Sequence, residues 1–138
     1  MRWVVNDTYE TKLSVSNTGG VISTVDAFVP PGGGPPLHRH DLADEVFFLM
    51  EGELQFQWDQ EVFQAAEGAA IFIPKGTPHC FRNISRTPAR MVFMHTPAGP
   101  EGVFLESGAE VIAGQTPPEF VITDSMLETF NKYDTYLV

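Results

Sequence analysis

Apolar and polar positions alternate with a period of two along most of this chain. Val21, Ser23, Val25, Ala27 and Val29 fall on one side and Ile22, Thr24, Asp26 and Phe28 on the other, which predicts a strand ending at Pro30-Pro31. Similar runs predict strands at 12–16, 45–50, 53–58, 61–65, 69–73, 79–83 and 90–96. Turn-forming sequences separate them: Asn17 to Gly20, Glu51-Gly52, Trp58 to Gln60, Glu67-Gly68 and Pro74 to Gly76. Many short strands joined by tight turns predict an all-β sandwich or jelly-roll barrel rather than an α/β design. From 97 to 120, Gly and Pro become frequent, which predicts irregular structure with one strand near 109–113. Ser125-Met126-Leu127-Glu128 reads as a capping box opening a short C-terminal helix through about Tyr133. Phe47, Leu49, Phe81, Met91 and Phe93 are the expected core. The sequence shows no internal repeat or low-complexity tract.

Composition bounds the function. At 138 residues, 43% of them hydrophobic, the chain fits one domain (1–138) with a real core. A formal net charge of −10 argues against nucleic acid and anionic membrane as partners. No apolar run approaches the ~18 residues of a membrane span, and the N-terminus lacks the apolar stretch of a secretory signal. Cys80 is the only cysteine, so no internal disulfide can form and a reducing cytoplasm is the expected location.

Two short segments carry the chemistry. His38 and His40 are two apart, so on an extended strand both imidazoles share a face, about 7 Å apart along the chain. Glu45 adds an anionic oxygen, and His79 arrives from a separate strand. The set His38, His40, Glu45 and His79 reads as one metal site. Imidazole donors suit Fe, Mn, Co, Ni, Cu and Zn alike, so one divalent transition metal of unspecified identity is implied. A carboxylate lowers the net charge of the complex, and four protein donors leave open positions for substrate or O2.

These segments resemble the cupin family motifs. The first is Gly32, His38, His40, Glu45 and Gly52, spanning 32–52; the second is Gly68, Pro74, Gly76, His79 and Asn83, spanning 68–83. The resemblance implies a double-stranded β-helix, or jelly-roll barrel, with a metal in it. It also implies that Glu45 can leave the metal and act as a catalytic base. Pro30-Pro31-Gly32-Gly33-Gly34-Pro35-Pro36 before His38, Asp44 to Gly52 after it, and His95 to Phe104 resemble the small cupins grouped with quercetin 2,3-dioxygenase. That likeness implies a metal-dependent oxygenase acting on a small aromatic or enol substrate, with Glu45 taking the substrate hydroxyl's proton.

Two other readings stand beside it. One is an isomerase, lyase or decarboxylase of small keto or hydroxy acids; the other is a non-catalytic small-molecule-binding module. Asn83 is expected to orient its loop by hydrogen bonds, and His95 to serve as pocket wall or packing. Cys80 is expected to be an inert thiol on the opposite strand face, and Asp41 and Asp44 solvated loop acids. The N-terminal strand, Trp3 to Val15, is expected to present an edge that pairs or packs with a twin, giving a homodimer held by apolar contacts.

Overall fold

The computed structural model describes residues 1–116 and 121–138. In chain order the elements are β1 (Arg2–Val4), β2 (Asp7–Leu13), α1 (Val15–Thr18), β3 (Ser23–Val29), β4 (His38–Arg39) and β5 (Asp44–Glu51). They continue with β6 (Glu53–Trp58), β7 (Glu61–Ala66), β8 (Ala70–Ile73), β9 (His79–Arg82) and β10 (Ala89–Thr96). The remainder are α2 (Gly102–Ser107), β11 (Ala109–Glu110), α3 (Asp124–Lys132) and β12 (Tyr136–Leu137).

The strands form two antiparallel sheets. A seven-stranded sheet runs β11-β1-β2-β3-β10-β5-β8, and a five-stranded sheet runs β12-β4-β9-β6-β7. The inward residues of each strand meet between the sheets, as period-two alternation requires. Val25, Ala27, Phe47, Leu49, Met91 and Phe93 from the larger sheet share one buried cluster with Leu54, Phe56 and Phe81 from the smaller. Phe47 is the hinge of that packing, with ring centroids 5.2 Å from Phe56 and 6.0 Å from Phe81. Truncating a core Phe of this kind to Ala costs about 3–5 kcal/mol.

Several expectations are corrected. The strand expected at 12–16 lies earlier, as β2 at Asp7–Leu13, because the Asn17 side chain accepts the Ser14 N–H at 2.8 Å and turns the chain into α1. Gly19, at φ 64°, ends that turn. Within the stretch expected to be irregular, α2 forms at 102–107, and the strand expected at 109–113 is only Ala109–Glu110. Residues 117–120 lie outside the described part. The C-terminal helix is capped by Thr123 rather than Ser125, its hydroxyl accepting the Met126 N–H at 3.2 Å. The N-terminal segment is not a free edge either: β1 pairs with β11 as well as β2, and β2 pairs with β3.

Candidate metal centre

The two sheets deliver the candidate donors to one place. His38 on β4 stands directly opposite His79 on β9, and His40 follows one residue past the end of β4. Glu45 comes from the other sheet, near the start of β5, pointing inward with Phe47 and Leu49. The donor atoms of His38, His40, Glu45 and His79 all lie within 4.8 Å of one another.

Backbone geometry explains the convergence. Gly76, at φ 84°, donates its N–H to the His40 carbonyl at 2.6 Å and so ties the loop before His79 to the strand before Glu45. Asn83 is buried, and its amide donates to the carbonyls of Val29 at 3.0 Å and Thr87 at 2.8 Å. It acts through hydrogen bonds, as its motif position suggested. Gly34, at φ 135°, passes so close to β9 that a Cβ there would strike the Phe81 carbonyl oxygen.

The histidine tautomers are set by the backbone. His38 Nδ1 lies 2.8 Å from the Pro36 carbonyl, His40 Nδ1 2.8 Å from the Asp134 carbonyl, and His79 Nδ1 2.9 Å from the Thr77 carbonyl. A carbonyl oxygen can only accept, so each Nδ1 carries the proton. Each Nε2 is left to act as a donor atom to an ion. This is the outer support expected around metal-binding histidines.

Glu45 sits among these rings. Its Oε1 is 2.7 Å from His79 Nε2 and 3.5 Å from His40 Nε2, and its Oε2 is 2.8 Å from His95 Nε2. Burial pushes its pKa up, but where the rings also carry a proton on Nε2, the charges of His95 and His79 and hydrogen bonds from His40 and His79 outweigh that. The carboxyl is held well below the usual carboxylate range. Burial, then the neighbouring His79 and His40, hold His38 well below the usual imidazole value, so it stays neutral.

An Nε2 lone pair facing a carboxylate oxygen at 2.7 Å is repulsive unless a cation lies between them. A proton on the ring can fill that role, and so can a divalent ion. Donors about 2.1 Å from one ion stand about 3.0–4.2 Å apart, close to the spread seen here. The residues therefore fit a metal.

Other residues fall as follows. His95 is fully buried and pairs across the sheet with Glu45, yet neither of its ring nitrogens makes an aligned hydrogen bond. Asp41 pairs with Arg39 at 2.9 Å, while Asp44 is no free solvated acid: its carboxylate accepts the Lys75 N–H at 2.9 Å. Cys80 is half-buried on the other face of β9, where burial pushes its thiol pKa up.

Asp134 escaped the sequence reading. Its carbonyl holds His40, and its carboxylate accepts the N–H groups of Asp41, Leu42 and Ala43 at 2.8, 2.9 and 3.1 Å. It adopts φ 56°, a conformation Asp tolerates better than most residues, but no spacing rule links it to the histidines. A cavity of about 70 Å³ adjoins the cluster, with His38, His40, Glu45 and His95 at one end.

Residues 26–95 match the cupin domain family. The chain is a cupin. It is 32% identical over 91 residues to the polyketide synthase CurC of Streptomyces cyaneus, covering 66% of this cupin and 58% of that protein. It is 30% identical over 90 residues to the tetracenomycin polyketide synthase protein TcmJ of Streptomyces glaucescens, covering 65% and 59%. The cupin thus spans less than two thirds of the length of these curated relatives. Among solved structures it resembles recombinant oxalate oxidase in complex with glycolate, at TM-score 0.58 and 27% identity, covering 67% of this chain and 51% of that one. Among the described residues no helix is long and apolar enough to cross a membrane.

Proposed function

We propose that this cupin is a metal-dependent oxygenase of small enols or phenols, holding one divalent transition metal through His38, His40, Glu45 and His79. The observation that carries the reading is the set of Nδ1 contacts to backbone carbonyls, which aims the Nε2 atoms at an ionised, buried Glu45. A metal there would act as a Lewis acid toward a substrate oxygen and lower its pKa. Glu45 would accept the proton released from a substrate hydroxyl, and His95, beside Oε2, would position that carboxylate. The buried aromatic wall of Phe47 and Phe93 would keep bulk water from the reacting oxygen.

Two relatives bear polyketide synthase names. Polyketides are built of alternating carbonyl groups that enolise and close to phenols, which suits a site made to deprotonate such an oxygen. The test is metal analysis of protein purified without tag or chelator, followed by O2 uptake with a panel of catechols and enediols. Wild-type protein that takes up no divalent metal, or that consumes no O2 with any of them, would count against the reading. Turnover without O2 would transfer the site to isomerase or lyase chemistry.

A further inference from the structure

The cavity beside the donor cluster is polar at one end only. Besides the imidazoles and Glu45 its wall includes the apolar Val4, Phe47, Phe93, Phe104, Ile122 and Phe130. Among the described residues that line it there is no Lys or Arg. The two hydroxyls in the described wall are already engaged. The Tyr9 hydroxyl donates to Asp7 at 3.0 Å while its ring stacks on Phe104 at 4.1 Å, and the Thr135 hydroxyl donates to the Tyr133 carbonyl at 3.2 Å. The room is about 70 Å³. At ~10–15 Å³ for each water this corresponds to about five to seven waters, roughly one six-membered ring with a short substituent.

Resting on the metal reading above, we propose that the cavity selects small uncharged molecules with their oxygens at one end, and rejects those with an anionic group at the other. Among the described residues, a carboxylate or phosphate carried to the apolar wall would meet neither a cation nor a free hydroxyl to replace its water, which is strongly unfavourable. The formal net charge of −10 opposes anions at longer range as well. Dicarboxylates and sugar phosphates thus suit this cavity poorly, and so does a flavonoid with two ring systems.

A matched pair of probes tests this. 4-Methylcatechol and 3,4-dihydroxybenzoate offer the same vicinal hydroxyls and differ only in a methyl or a carboxylate at the far end. Binding to zinc-loaded protein would be followed by calorimetry, since zinc has no redox chemistry of its own. The carboxylate compound is expected to bind at least a hundredfold more weakly. Ile122, a half-buried wall residue outside any helix or strand, offers the converse. Ile122→Arg is expected to tighten 3,4-dihydroxybenzoate at least tenfold while 4-methylcatechol changes less than threefold. Equal affinity of the two probes for the wild type overturns the inference whatever the variant does. So does failure of both to bind protein of confirmed zinc content, which leaves the metal reading standing. A chain that takes up no zinc overturns that reading and the inference together.

Discussion

Glu45 and His95 face each other across the pairing of β5 with β10, with carboxylate and imidazole 2.8 Å apart. His95 therefore belongs to the site by contact although it belongs to neither motif. Replacing it with Leu is expected to keep the metal, because the four candidate donors remain, while lowering turnover about 10–100-fold as Glu45 loses its neighbour. His95→Gln should recover part of the loss. Metal content and kcat measured on the same preparations check this, and an unchanged kcat in the Leu variant would refute the positioning role.

Metal removal should loosen the barrel, since the donors join both sheets. At a hundredfold excess over Kd a bound ion stabilises the fold by about 2.7 kcal/mol. EDTA is expected to lower the Tm by several degrees without unfolding the apolar core. His79→Ala should remove that sensitivity. Identical melting curves with and without EDTA, metal loss being confirmed, would exclude a ligand role.

Acid should weaken both the fold and the site. Below the ordinary imidazole value of about 6.5 the unfolded chain takes up a proton that the half-buried His38 refuses, so stability falls as pH falls. Glu45, held below the usual carboxylate range, contributes stability above the unfolded value of about 4.3 that is lost as pH falls through its folded pKa. Metal occupancy should fall steeply below about pH 6 as protons compete for the rings. Occupancy that stays flat between about pH 8 and pH 5 would show that histidines do not carry the site.

Asp7 works in the opposite direction. Burial pushes its pKa from 3.8 up to about 6, against hydrogen bonds from Tyr9 and Gly34. Between those values the folded protein keeps a proton that the unfolded chain releases, so this residue costs stability as pH rises through that window. The cost above it is on the order of 3 kcal/mol. Asp7→Asn preserves an acceptor for Gly34 and a partner for Tyr9, and is expected to raise the Tm by several degrees at about pH 8 and by almost nothing at about pH 4. The same gain at both pH values would contradict the assignment.

Self-association is expected on a different face from the one the sequence pointed to, since the N-terminal strands are already paired. Phe28, Phe48 and Phe72 are exposed on the outer face of the seven-stranded sheet, where Phe28 pairs with Arg90, Phe48 with Val92 and Phe72 with Val46. Asp26 and Arg90 neutralise each other there at 2.8 Å. We propose a second copy of the chain as the occupant, because molecules of net charge −10 approach one another best through a neutral face. Sedimentation at micromolar concentration should show a dimer little affected by salt, and Phe48→Lys should give a monomer with its metal intact. A wild-type monomer would end the proposal.

The long strands were legible because alternation repeats often enough to register: β5, β6 and β7 lie within a residue or so of their expected bounds. The candidate donors were legible because their spacing is local to two segments. What escaped was too short to show a period, as with β1, β4 and β12, too polar to show one, as with β2 (Asp7-Thr-Tyr-Glu-Thr-Lys-Leu13), or fixed by tertiary contact alone. Thr123 took the helix cap from Ser125 through a choice between neighbouring hydroxyls that pattern does not resolve. Asp134 and His95 have no motif, and their roles exist only once distant strands have met.

The tie between His40 and Asp134 spans 94 positions of the chain. All four candidate donors are present by residue 79, yet the group that orients one of them belongs to the segment after α3. Metal uptake should therefore lag behind the closing of the central strands during folding and report on the whole molecule rather than on its two motifs. A fragment ending before residue 121 would hold every donor and bind poorly, having the ligands without the means to aim them.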